Sequence, residues 1–262
     1  MSSYIGRHAE LYDLFYAEKD YAGEAAFVDQ CVHANGGSGR GPMLELACGT
    51  GRHAIEFGRL GYDVVATDYS EDMLAQAKAR SHREGSGAAF QQADMREVNL
   101  AGQRFDTAVC LFDSIGYVQT NDAVREVLLG VWEHLNAGGL FVFEYWHAAA
   151  MLVGYDPVRV KRWSTDSGQI IRISETSVDT ANQTCRVDYT IYELRPDNSY
   201  TEIRESQVNR FFLVQEMSVL LKSAGFELLR CYAGFFDDEN IDQNTWHVVA
   251  VARKADRAAM TA

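Results

Sequence analysis

Positive charge is scarce in this 262-residue chain: 24 Lys and Arg stand against 37 Asp and Glu, a formal net charge of -13 at pH 7. A protein that follows a phosphate backbone needs clustered cations that displace counterions, so nucleic acid is a poor partner. Cysteine pairing is missing as well. Cys31, Cys48, Cys110, Cys185 and Cys231 are odd in number and far apart, and no pair has the spacing of a metal site. They read as reduced core residues. No stretch is long and apolar enough to span a bilayer, and Met1 to His8 lacks the apolar run of a secretion signal. The expectation is a cytoplasmic protein with no membrane partner. Internal repeats and low-complexity linkers are absent too, so the chain reads as one large domain or one domain carrying an insertion.

What is present is a glycine turn in a telling place. In Leu44-Glu45-Leu46-Ala47-Cys48-Gly49-Thr50-Gly51-Arg52 an apolar strand meets two glycines and then a helix-compatible segment, which is a nucleotide-cofactor signature. Gly49, Gly51 and Ala54 also satisfy the loose dinucleotide fingerprint, so this stretch leaves the cofactor open. A second apolar run, Tyr62 to Thr67, ends in Asp68, where a carboxylate can accept both hydroxyls of a ribose. Glu45 in the first strand's exit and Asp94 after a third strand add acids where a pyrophosphate would want cations. A sulfonium and an α-ammonium suit such a site better, which favours S-adenosylmethionine. A nicotinamide-dependent oxidoreductase built on Gly49, Gly51 and Asp68 is the rival reading, and a silent cofactor-binding module is a third. Singly, the glycine turn is compatible with a plain strand-to-helix connection and Asp68 with a helix cap.

Taken in register, Glu45-x-Ala47-Cys48-Gly49-Thr50-Gly51, then Thr67-Asp68-Tyr69-Ser70-Glu71-Asp72-Met73-Leu74, then Ala93-Asp94-Met95-Arg96 resemble the class I S-adenosylmethionine-dependent methyltransferases. The resemblance implies an α/β fold with a doubly wound, mostly parallel seven-stranded sheet. It also implies cofactor contacts from Glu45, Ala47, Gly49, Gly51, Arg52 and Leu111, with Asp68 on the ribose, Tyr69 and Met73 on the adenine faces, and Asp94 with Met95 at the adenine edge.

The element pattern agrees with that fold. Residues 7–33 read as helical; strands near 42–47, 63–67, 88–92, 106–111 and 139–145 alternate with helices near 52–60, 71–83 and 121–135. Between about 157 and 212 the texture turns β-rich, with runs at 170–174, 185–192 and 200–204, which predicts an inserted antiparallel meander. A helix over 213–223 and strands at 226–230 and 246–251 close the chain. The expected division is a cofactor-binding domain over 1–152 and 213–262, with a helical lid at its N-terminus and an inserted subdomain over 153–212. That subdomain's edges suit either covering an acceptor or pairing two copies as a homodimer.

In open parallel sheets ligands lie beyond the carboxyl ends of the strands, so Leu111 to Tyr117 and Glu144 to His147 are the stretches that would face a transferred methyl. Asp113, Tyr117 and His147 are the candidates for proton handling, and Tyr145 and Trp146 for acceptor contact. No compact Asp, Glu or His cluster is visible, so no metal is expected. A further resemblance, to nucleotide-linked amino-sugar N,N-dimethyltransferases, rests on Ala9-Glu10-Leu11-Tyr12-Asp13-Leu14, Lys19-Asp20-Tyr21, Phe112-x-Ser114-Ile115-Gly116, Glu144-x-Trp146 and Arg172-Ile173-Ser174. It implies that Tyr4, Tyr12 and Tyr21 lie over the cofactor, Tyr117 beside the acceptor nitrogen and Arg172 at the nucleotide phosphates. Those enzymes carry serine where this chain has Asp113, proline at Tyr145, histidine at Glu175, and a Gly/Ser-rich segment where Phe235 to Asn244 is rich in acids. The resemblance therefore implies N-methylation of a small-molecule amine, with O-methylation of another small molecule as the alternative.

Overall fold

A computed structural model describes residues 4–237 and 239–255. Met1 to Ser3 of the N-terminal stretch, position 238 in the acidic segment and the last seven residues lie outside this description. Five parallel strands form the body of a seven-stranded sheet: β1 (Gly41–Leu46), β2 (Tyr62–Asp68), β3 (Ala89–Gln92), β4 (Phe105–Cys110) and β5 (Leu135–Trp146). Two closing strands, β10 (Phe226–Ala233) and β11 (His247–Lys254), complete the order β10-β11-β5-β4-β1-β2-β3. β11 runs antiparallel to both β5 and β10. The central strands are apolar runs buried on both faces, as a doubly covered sheet requires.

Helices α3 (Arg52–Leu60), α4 (Glu71–Glu84) and α5 (Asn121–His134) cross between the parallel strands. Ser70 and Thr120 start two of them by accepting the Met73 and Ala123 N–H groups, which satisfies donors that a helix N-terminus leaves free. One apolar layer gathers Phe105, Val127, Leu128, Phe141 and Met217; the other gathers Val28, Met43, Phe57, Val64 and Val142.

The expected helix over 7–33 is two helices, α1 (Gly6–Phe15) and α2 (Tyr21–Ala34). Asp20 separates them by capping α2 through the Gly23 N–H. The residues between the expected helix over 121–135 and the strand expected from 139 are the irregular first part of β5, where Leu135 already pairs with Phe105 and the register shifts. A short α6 (Ala148–Gly154) follows it. The meander has four strands, β6 (Val158–Thr165), β7 (Gly168–Asp179), β8 (Thr184–Leu194) and β9 (Tyr200–Arg210), all antiparallel, and α7 (Val214–Ser223) returns the chain to the main sheet. No helix among the described residues is long and apolar enough to cross a membrane.

The meander is joined to the main sheet where β5 ends. His147 bridges Phe212, the Phe212 N–H donates to the Trp146 carbonyl, and the Ala148 N–H donates to the Phe212 carbonyl. Gly116, after β4, sits under β9: a Cβ there would lie 2.7 Å from the Arg210 carbonyl oxygen. The second sheet thus overhangs the carboxyl ends of β4 and β5, the region that parallel-sheet topology reserves for ligands.

Candidate active site

Two adjoining cavities open above the carboxyl edge of the sheet. The larger, about 660 Å³, is walled by Tyr12, Ala47, Gly49, Asp68, Tyr69, Met73, Asp94 and Met95. The smaller, about 420 Å³, is walled by Tyr16, Asp113, Trp146, Arg159, Lys161, Arg172, Tyr189 and His247. Tyr4, Phe112 and Tyr117 line both and form the neck between them.

The side chains and backbone that wall the larger cavity suit S-adenosylmethionine in their chemistry. A Cβ on Gly49 would meet nothing within 4 Å, so the turn leaves open space at the cavity. Gly51 serves the turn differently. Its φ of 75° is left-handed, and a Cβ there would come 2.8 Å from Phe90 and 2.9 Å from Ala77, so it allows close helix and strand packing behind the site. Asp68 accepts N–H groups from Gly49 at 2.8 Å and from Ser70 at 2.8 Å, leaving lone pairs for ribose hydroxyls. Burial raises its carboxyl above the ordinary range while those backbone N–H groups oppose the rise. Asp94 lies on the cavity wall, but its carboxylate is already forked by Arg96, which holds it below the usual carboxylate range. Tyr69 is 58% exposed, an unfilled aromatic face at the cavity rim.

α1 covers this cavity. The Tyr4 carbonyl accepts the Ser70 hydroxyl at 2.8 Å, Gln76 Nε2 donates to the Ala9 carbonyl at 2.8 Å, Thr50 donates to Asp13 at 2.9 Å, and Arg80 pairs with Asp13. At the neck the Tyr4 and Tyr117 hydroxyls are hydrogen-bonded at 2.7 Å, and both lie within reach of the Gln207 Oε1 acceptor on β9. Burial pushes both phenols up, so they remain hydroxyls.

The smaller cavity has cationic and anionic ends. Arg172 is 8% exposed and its guanidinium lies over the rings of Phe15, Trp163 and Tyr189 at 4.6, 5.3 and 5.3 Å. Its Nε has no hydrogen-bond partner, and Arg159 and Lys161 share the same wall. At the other end His247 Nδ1 lies 2.8 Å from Glu144 Oε1 and 3.1 Å from Asp113 Oδ2. One donor atom from each lies within 4.8 Å of the others. The imidazole is wedged against both acids, so the charge that reconciles them is the imidazolium itself. Burial disfavours that cation, but the two carboxylates outweigh it and push His247 up to about 11. Burial raises Asp113 to about 6, with His247 opposing; for Glu144 the His247 contact overcomes burial and holds it low.

Several expected site residues sit elsewhere. Tyr145 is fully buried against Phe143 and Phe212, facing away from both cavities because successive strand residues alternate sides. His147 is also buried; its Nδ1 lies 3.1 Å from the Thr245 carbonyl and it lines neither cavity, so its place is the junction between sheets. Glu45 and Leu111 are buried beneath the cavity floor and line neither cavity, and Arg52 packs on the Tyr21 ring at 4.8 Å, outside both walls. Glu175 is exposed on the opposite face of β7 from Arg172 and Ser174. His247, Arg159, Lys161 and Gln207 are the residues that sequence reading missed. Alternation along β7 to β9 carried part of the signal, since 172, 174 and 176 face one side together with 185, 187, 189, 207 and 209.

Comparison with known proteins points the same way. A family model described as a methyltransferase domain matches residues 43–139. The chain is 31% identical over 225 residues to dTDP-3-amino-3,4,6-trideoxy-alpha-D-glucopyranose N,N-dimethyltransferase of Streptomyces venezuelae, covering 84% of this chain and 90% of that protein. It is 28% identical over 231 residues to dTDP-3-amino-3,6-dideoxy-alpha-D-glucopyranose N,N-dimethyltransferase of Streptomyces fradiae, covering 87% and 86%. The crystal structure of Streptomyces venezuelae DesVI superposes with a TM-score of 0.77 at 26% identity, covering 94% of this chain and 98% of that one. The oxidoreductase reading is set aside by these relationships. With the sheet order, the glycine turn and the cavity acids, they make the chain a member of the class I S-adenosylmethionine-dependent methyltransferases.

Proposed function

We propose that this enzyme methylates the amino group of a small, nucleotide-linked amino sugar. The observation that supports the reading best is Arg172: a buried guanidinium held by aromatic faces, with an unpartnered Nε, on a cavity wall shared with Arg159 and Lys161. In a chain of net charge -13, cations gathered on one wall suit the diphosphate of an activated sugar. The sugar would then reach toward the neck, where Tyr117 stands between the two cavities.

The chemistry at the neck is direct displacement. The nitrogen lone pair forms a bond to the methyl carbon while the carbon–sulfur bond breaks and its electron pair stays on sulfur. Alignment and exclusion of water supply most of the assistance such a reaction needs. The raised phenols of Tyr4 and Tyr117 orient the acceptor as neutral hydroxyls. Asp68 would hold the ribose, Gly49 would let the methionine moiety approach, and Met73 and Tyr69 would flank the adenine.

The test is methyl incorporation, followed by mass spectrometry, into dTDP-linked 3-amino sugars, the same sugars without the nucleotide, and hydroxyl analogues. The reading expects product from the nucleotide-linked amines alone. Arg172→Ala should raise the acceptor KM about tenfold or more, since a charged hydrogen bond contributes about 1.5–3 kcal/mol, and should spare S-adenosylhomocysteine affinity. Equal turnover of free and nucleotide-linked sugars would refute the phosphate role of that wall.

A further inference from the structure

The two acids at the far end of the smaller cavity have a feature that the phosphate wall does not explain. Asp113 stands directly after Phe112 of the neck, in a left-handed conformation with φ 55°, and is 4% exposed. Its Oδ1 is buried with no hydrogen-bond partner, while its Oδ2 faces His247. Glu144 is 2% exposed and tied down on both sides: Oε1 meets His247, and Oε2 accepts the Phe112 N–H at 2.6 Å. His247, by contrast, keeps 41% of its side chain exposed and also lines a second opening formed by Gly234, Phe236, Asp242, Asn244 and Trp246. A strained, partly unsatisfied carboxylate beside the reaction neck is therefore linked through one imidazole to solvent on the other side.

The charged groups that act on Asp113 are His247 from β11, Glu144 from β5 and Lys19 from the connection between α1 and α2. The Cys110 thiol at the end of β4 is pushed well up and stays neutral. Arg159, Lys161 and Arg172 stand on the meander wall of the same cavity. Two carboxylates and one imidazolium leave the cluster with one negative charge, set beside the point where nitrogen takes up positive charge.

We infer that Asp113 removes the proton from the acceptor nitrogen, and that His247, anchored by Glu144, is the positioning residue that keeps Asp113 ionised. The inference rests on the amine reading above. A bound ammonium gives its proton to an Asp113 carboxylate oxygen, the N–H electron pair staying on nitrogen. That lone pair then forms the new N–C bond as the C–S pair passes to sulfur. The products are the methylated ammonium, S-adenosylhomocysteine and a protonated Asp113, which returns its proton to solvent on the His247 side. A hydroxyl acceptor, whose proton is far harder to remove, gains little from so weak a base.

The experiment compares kcat across pH 5–10 for the wild-type chain, Asp113→Asn and His247→Asn, with a dTDP-linked 3-amino sugar as acceptor and S-adenosylhomocysteine affinity as the check on folding. The wild type should show an acid limb near pH 6, where Asp113 ionises. Asp113→Asn should lose that limb and about 10²-fold in kcat, within the usual range for a proton-transfer group, with homocysteine affinity unchanged. His247→Asn should move the limb toward higher pH, because the cation that opposes the rise of Asp113 has gone; a merely structural histidine would lower activity without moving it. A wild type that methylates the amine while Asp113→Asn keeps the limb overturns this inference and leaves the amine reading standing. A wild type that methylates only hydroxyl compounds overturns both. Activation by added Mg²⁺ or Mn²⁺ that disappears in Asp113→Asn would show the cluster to be a cation site and overturn the proton assignment.

Discussion

Asp68 illustrates how much one side chain is asked to do. It closes the glycine turn through Gly49, starts the next helix through Ser70, and still faces the cofactor cavity. Replacing it with alanine should weaken S-adenosylhomocysteine binding by about 2 kcal/mol, the cost of charged hydrogen bonds lost at a buried site; titration calorimetry checks this. Tyr117→Phe removes a hydroxyl that shares Gln207 with Tyr4. Turnover should fall severalfold while homocysteine affinity holds, and a matching loss of both would make Tyr117 a packing residue. Asp68 and Tyr117 were legible in the chain because each follows an apolar strand within one continuous motif. His247 was not: it meets Asp113 and Glu144 only because β11 runs antiparallel beside β5, a pairing that no local pattern announces. His147, adjacent to an aromatic pair, drew the proton-handling expectation, whereas in the fold it sits at the junction between the sheets.

Among the elements, α1 is held by apolar burial of Ala9, Leu11, Tyr12 and Phe15 and by polar ties to α4 and its N-terminal turn. Arg80 carries one of these polar ties, pairing with Asp13 while also donating to the Thr50 carbonyl at 3.2 Å. Arg80→Ala should speed S-adenosylhomocysteine release about tenfold, equivalent to about 1.4 kcal/mol of lost closure. Stopped-flow displacement measures it, and an unchanged rate would mean that α1 does not gate the cavity. The parallel strands and their helices were readable because buried strands and amphipathic helices have distinct periods. β6 was not, since its first five residues are exposed on both faces and no alternation marks them. α6 is only 7 residues long, too short for a period to show.

For the molecule as a whole, the Asp113, Glu144 and His247 cluster couples folding to pH. His247 is raised from 6.5 to about 11, so its pairing contributes stability fully below about pH 6.5, and that contribution is lost as pH climbs through 11. Asp113 is raised in the opposite sense for an acid, so its ionisation costs stability that builds between its ordinary value of 3.8 and about 6 and persists above that. Thermal melts of the wild type should therefore decline on the alkaline side more than those of His247→Asn, and parallel curves would detach the imidazolium from stability. The five parallel strands and the glycine-turn side of the larger cavity were legible because their residues lie between 41 and 146 in chain order. The smaller cavity draws on Tyr4, Asp113, Arg172, Gln207 and His247, five separate segments that only tertiary structure gathers.

The shared neck has a kinetic consequence. Tyr4 holds Ser70 on the cofactor side through its carbonyl and Tyr117 with Gln207 on the acceptor side through its hydroxyl. On the function proposed above, moving Tyr4 to exchange spent cofactor would therefore also unlatch the smaller cavity. Cofactor exchange and acceptor exchange would then be coupled, each turnover opening both sites at once.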